Sequence, residues 1–187
     1  MNQTRPGKND MLNDIVEENA HAIGQLIELL THLPNNLYRQ SFGQRGRHAI
    51  GKHVRHIIDH YSALLSATAS PQGLLDYENR DRDQSLETDC RAGANQLSAI
   101  LHSLRRRFVE HHSAELAMLH TSDEQGQVIA TSVDRELVFL ASHTIHHMAI
   151  IGMLAEQAGV EISDEFGVHP STLRHLQRQQ RPMARSA

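Results

Sequence analysis

The chain has 187 residues, 39% of them hydrophobic and 21% charged, with a formal net charge of −4. That length suits one domain, and that balance excludes a core-less, disordered chain. The negative charge and an aromatic content of 4% without Trp argue against a nucleic-acid binder, which needs cations for phosphates and rings for bases. No uninterrupted apolar run reaches the ~18–20 residues of a membrane span, and the stretch Met1 to Asn13 has no apolar segment of signal-peptide type. The single cysteine, Cys90, cannot form an internal disulfide or a thiolate zinc cluster. Together these features imply a cytoplasmic protein with neither a membrane nor a nucleic acid as partner. The anomaly is 15 histidines, the commonest metal-ligating residue type.

A first helix is expected over residues 9–33, with Leu12, Ile15, Val16, Ile23, Leu26, Ile27, Leu30 and Leu33 on one face and Pro34 after it. A second is expected over 49–69, striped by Ile50, Val54, Ile57, Ile58, Tyr61, Leu64 and Leu65. A third starts near Ser85, a good N-cap residue, and carries Leu86, Leu97, Ile100, Leu101, Leu104 and Phe108. Between it and the fourth, alternation through Leu116, Met118 and His120, then Val128 and Ala130, predicts a small β-hairpin; an irregular excursion is the alternative. The fourth helix follows Ser132 and ends near Ala158, with Gly159 behind it. A short helix at Pro170-Ser-Thr-Leu-Arg174 precedes a basic end. The expected fold is all-α: a four-helix bundle in one domain, residues 1–187, with its core over residues 9–160 and a disordered tail over 176–187. The connections 34–48 and 70–84 are long for adjacent antiparallel helices. Fifteen extended residues reach ~50 Å, more than the ~30 Å of a 20-residue helix, so both could run back along the bundle.

The fourth helix reads Leu137-Val-Phe-Leu-Ala-Ser-His143-Thr-Ile-His146-His147-Met148 and is apolar on nearly every side, the pattern of a buried helix. Histidines in such a helix need partners for their ring nitrogens. His143 and His147 are four apart on one face, a spacing that lets two imidazoles chelate one ion. Hydrogen bonding to neighbours is the other use of such a pair. The second helix carries His53, His56 and His60; a helical wheel places His53 and His60 beside the apolar stripe and His56 further round. Other motifs are incomplete. Glu18-Asn-Ala-His21 is one Glu-x-x-His where a di-iron bundle needs two. Thr144 stands where a His-Glu-x-x-His protease carries its glutamate. There is no glycine-rich phosphate loop.

The segment Ala49-Ile-Gly-Lys-His-Val-Arg-His56-Ile-Ile-Asp59, with His143-x-x-x-His147 much later, resembles the DinB/YfiT-like family of metal-binding four-helix bundles, commonly dimeric. The family's helix-two histidine falls on His56 and its last-helix pair on His143 and His147. The resemblance runs from Asp14 to Arg174. It extends to a bacterial branch with Tyr-x-x-Arg-x-Arg, here Tyr77 to Arg82, and Phe-Gly-Val-x-Pro-Ser-Thr, here Phe166 to Thr172. Ala49 replaces the family's frequent Ser. The DinB-like domain of sulfoxide synthases shares the three histidines, but its glutamate after the last one is Ala149 here.

The resemblance implies a homodimer and one divalent ion (zinc, nickel or iron) on His56, His143 and His147, with a coordination position left open. An open position suits hydrolysis through an activated water, or transfer of a low-molecular-weight thiol held as thiolate. Asp59, His60 and Glu136 are candidates to orient a ligand histidine or accept a proton. Arg80 and Arg82 are candidates to bind an anionic substrate. The expected function is a metal-dependent transferase or hydrolase acting on a small molecule. The contrasting expectation is a non-catalytic, stress-associated metal-binding protein, whose site would be closed by a fourth protein ligand.

Overall fold

The computed structural model describes residues 8–108, 115–122 and 125–180. Its elements are α1 (Lys8–His32), α2 (Asn35–Tyr38), a 3-10 turn (Gln44–Gly46), α3 (Ile50–Ala69), β1 (Leu74–Asp76), α4 (Ser85–Thr88), α5 (Cys90–Phe108), β2 (Glu115–Ser122), β3 (Gln125–Ser132), α6 (Val133–Gln157) and α7 (Pro170–Gln180). The fold is mostly helical with a small three-stranded sheet.

The four long helices share one core. α1 packs on α5 and α6, and α3 packs on the same two. Of the consecutive long helices only α3 and α5 are among these pairs, and the connections elsewhere carry the chain across. The connection 34–48 folds into α2 and a Phe42–His48 bridge, burying Tyr38 and Phe42. The connection 70–84 forms β1, which pairs in parallel with β2 (Leu74 with Ala117, Asp76 with Leu119). A three-residue strand paired with a distant one without a hairpin turn leaves no local signal. The expected hairpin is present: β2 and β3 pair antiparallel from Glu115↔Ser132 to Ser122↔Gln125. β3 runs directly into α6, where the Ser132 hydroxyl caps the helix by accepting from the Arg135 N–H at 3.2 Å.

Three expectations need correction. The third helix is interrupted after Thr88. Its long part starts at Cys90, where the Asp89 carboxylate accepts from the N–H groups of Arg91 and Ala92 at 2.9 and 3.2 Å. Asp89, not Ser85, is the N-cap of the long part. α6 is not buried all round: Val138 is 51% and Met153 61% exposed, because its neighbours α1 and α3 leave one side uncovered. α6 is also long and apolar enough, by length and composition, to cross a membrane, because its few polar residues do not offset its apolar average. Its inner side chains, Leu137, Leu140, Met148 and Ile151, lie in the common core. α7 extends through Gln180, so residues 176–180 of the expected disordered tail are helical; residues 181–187 lie outside the described residues.

One polar network crosses the apolar centre. The Tyr61 hydroxyl donates to Asn19 Oδ1 at 2.6 Å and accepts from the Thr144 hydroxyl at 3.1 Å. Asn19 Nδ2 donates to the carbonyls of Ile15 and Leu137 at 2.8 and 3.1 Å. The three side chains are at most 1% exposed and satisfy one another, as buried polar groups must. They tie α1, α3 and α6 together one residue from His143.

Candidate metal centre

α3 and α6 each present histidines four residues apart, His56 with His60 and His143 with His147. Packing of the two helices brings the pairs together across 87 residues of sequence. His143 Nε2 lies 3.0 Å from His56 Nε2. Ring centroids are 4.3 Å apart for His56 and His60, 4.4 Å for His60 and His143, 4.5 Å for His56 and His147, and 4.6 Å for His143 and His147. His56, His60 and His143 each offer a ring nitrogen within 4.8 Å of the others, so these three could hold a metal ion. His147 borders His56 and His143 but turns Nδ1 to His53 Nδ1, 3.0 Å away.

The cluster is built to stay uncharged. Burial lowers the pKa of all five rings, and neighbouring rings lower it further: His56 and His147 to about 3, His60 to about 4, and His53 and His143 below the usual value. A neutral imidazole keeps a lone pair, the form that binds a metal. Several neutral imidazoles at close range are a donor set suited to zinc, nickel or ferrous iron, so the residues fit a divalent ion. His60 is buried, while His53, His56, His143 and His147 are half-buried.

The candidate supporting residues divide. His60 stands in the cluster itself. Asp59 is buried but aims at Arg55 (2.6 Å), which also donates to Glu87 at 2.6 Å. Burial raises the Asp59 carboxyl while Arg55 pulls it down. Glu136 is fully buried one layer out, accepting from Thr131, from Arg135 at 2.7 Å and from the Tyr77 hydroxyl at 2.9 Å. Tyr77 stacks on His60 with centroids 5.1 Å apart, so Glu136 reaches the cluster only through that ring. Burial and the Glu136 carboxylate raise the Tyr77 pKa, keeping it a donor.

The connection after β1 supplies further surroundings, among them Arg80, a candidate in the sequence for binding an anionic substrate, and Tyr77, which had no assigned role. The Asp76 carboxylate accepts from the N–H groups of Glu78 and Asn79 at 2.8 and 3.2 Å, turning the connection so that Tyr77 and Arg80 meet α3. Arg80 Nη1 lies 3.0 Å from His60 Nδ1 and 3.4 Å from His56 Nδ1. Phe139, one turn before His143, stacks on it at 5.4 Å. The Tyr-x-x-Arg spacing was the available signal for Tyr77 and Arg80. Arg82 turns away, donating to the Glu78 carbonyl at 3.4 Å. Beside Arg80 and Asp59 opens a cavity of about 490 Å³ that also reaches Asp76, Asp81 and Asp83.

The fold and the cluster define a mainly helical protein with facing histidine pairs on two of its long helices. The family model that matches is that of the DinB family, over residues 2–164, and the chain belongs to that family. It is also similar to FK506-binding protein 5 of Rhizopus delemar, 29% identical over 109 residues that make up 57% of this chain. The chain spans only 28% of that protein's length. No solved structure matches the chain.

Proposed function

We propose that this protein is a metal-dependent enzyme of the DinB family, its four long helices forming the family's bundle, with His56, His143 and His147 holding one divalent ion at an open site. The convergence of neutral imidazoles from α3 and α6, with 3.0 Å between the Nε2 atoms of His56 and His143, carries this reading. When bound, a zinc, nickel or ferrous ion would supply Lewis acidity, making a water or a small thiol a nucleophile near neutral pH. His56 and His143 would hold the ion through rings that burial keeps uncharged. Phe139 orients the His143 ring. Tyr77, held by Glu136, fixes His60 and offers a proton donor at the edge of the cluster. The half-buried rings leave a route for a small substrate. This supports a thiol S-transferase-like or hydrolase-like activity on a small molecule, in the cytoplasm, without nucleic acid or membrane. A homodimer through helix faces belongs to the same reading, supported by the exposed Val138 and Met153 on α6.

A second reading rests on His60, which stands closer to His56 and His143 than sequence spacing implied. If all four imidazoles ligate, the site is closed, as in structural zinc sites, and the protein is a non-catalytic, stress-associated metal binder. Calorimetric titration of Co²⁺ with absorption spectra separates the two on the wild type and on H56A, H143A, H147A and H60A. The open site requires that H56A, H143A and H147A lose most of the affinity, that H60A retains it, and that the cobalt spectrum changes when a small thiol is added. A spectrum indifferent to thiol, with H60A as damaging as H147A, establishes the closed site. Unchanged affinity in all four variants refutes both.

A further inference from the structure

A histidine that ligates through Nε2 carries its hydrogen on Nδ1 and donates it to a carboxylate, a carbonyl or water. Arg80 breaks that rule. Its Nη1 lies 3.4 Å from His56 Nδ1 and 3.0 Å from His60 Nδ1, and guanidinium can only donate. A donor at His56 Nδ1 requires a lone pair there, which puts the hydrogen of the neutral ring on Nε2. That hydrogen then points at His143 Nε2, 3.0 Å away. The result is a chain of donations, Arg80 to His56 to His143, in which the His56 nitrogen facing α6 has no lone pair to give.

His60 shows the same conflict. Its Nδ1 stands 2.8 Å from the His56 carbonyl oxygen, an acceptor, as well as beside the Arg80 donor. One neutral nitrogen cannot both donate to the first and accept from the second. Arg80 is also poorly held where it is. Its buried Nε has no hydrogen-bond partner, and among the described residues it makes no ion pair within 4.0 Å. The adjoining cavity of about 490 Å³ is walled by Asp59, Asp76, Asp81 and Asp83 together with Arg80 itself. It offers the guanidinium an alternative seat among carboxylates.

We propose that Arg80 is a positioning residue that opposes metal loading: it holds His56 in the tautomer that cannot ligate through Nε2, and it moves off the ring edges toward the acidic cavity when an ion binds. This rests on the metal-centre reading above. It gives the Tyr77–Arg82 segment a task, which is to set the affinity and the metal-free state of the site.

The test measures Zn²⁺ affinity by competition with a chromophoric chelator for full-length wild type, R80Q and R80K, with circular dichroism to verify folding. The hydrogen position on His56 is read in metal-free protein from long-range ¹H–¹⁵N spectra of the imidazoles. Gln can accept from His56 Nδ1 and carries no charge, whereas Lys remains a donor-only cation. R80Q should bind zinc about 10–100-fold more tightly, the usual size of such outer effects on metal affinity. R80K should stay near wild type, and the His56 hydrogen should move from Nε2 to Nδ1 in R80Q alone. Equal or weaker zinc binding by R80Q, equal tightening by R80K, or a wild-type His56 already carrying its hydrogen on Nδ1 overturns the proposal while leaving the metal centre standing. Absence of zinc binding in all three proteins overturns the metal centre and this proposal with it.

Discussion

Replacing Tyr61 by Phe removes one oxygen from the centre of the molecule and nearly nothing else. The ring keeps its volume, so no cavity term arises. Two hydrogen bonds disappear, the 2.6 Å donation to Asn19 Oδ1 and the 3.1 Å donation from Thr144. Thr144 can turn its hydroxyl back to the carbonyl four residues earlier in α6, a common bond for helical Thr, and recover most of its loss. Asn19 Oδ1 has no such alternative. Its amide is already held by two carbonyls, so its oxygen is left buried without a donor, at about 1–3 kcal/mol. The expected net cost is about 2 kcal/mol. For a chain of this size each kcal/mol lowers Tm by roughly 2–4 °C, so Y61F should melt roughly 4–8 °C lower. Urea unfolding followed by far-ultraviolet circular dichroism, with chelator present to exclude metal effects, gives the free energy. T144V alone should cost less, and the double variant less than the sum of the singles, because the three groups form one network. A Y61F protein within about 0.5 kcal/mol of wild type, the range of a neutral surface change, refutes the argument that this network holds α1, α3 and α6 together.

Metal-free protein should lose stability as pH falls from 7.5 to 5. The unfolded histidines take up protons near 6.5, while folded His56 and His147 wait until about 3 and His60 until about 4. In that window the unfolded state binds more protons and is favoured by acid. Thermal melts in chelator should show the decline, H56A/H60A/H147A should flatten it, and a flat wild-type profile contradicts it. Two glycines should respond oppositely to Ala. At Gly51 a Cβ would run into the Glu87 carbonyl oxygen, so G51A should lose about 1–3 kcal/mol by forcing α4 away. At Gly24 a Cβ meets nothing within 4 Å, so G24A should gain up to about 1 kcal/mol in helix propensity; urea unfolding of both checks the contrast. Sedimentation equilibrium at micromolar concentration should give twice the 21.0 kDa chain mass, and a monomer refutes the dimer.

Local signals made the helices legible in the sequence. The apolar period around Val54, Ile57, Tyr61 and Leu64, the Ser132 cap and the breaks at Pro34 and Gly159 act within a few residues, and α3 and α6 begin and end within a residue of where those signals place them. The histidine spacing on each helix was legible for the same reason: one turn of helix fixes which side chains share a face. How the two histidine faces meet was not. On a wheel His56 lies away from the α3 stripe, yet it touches His143 because α6 packs beside that stripe, a relation between residues 87 apart. His60 joins the cluster and His147 turns to His53 through ring rotations that no spacing encodes. Arg80 reaches the rings because the Asp76 turn and the pairing of β1 with β2 carry the connection back to α3. The element types follow from local chemistry; the cluster depends on which faces shared burial in the core forces together.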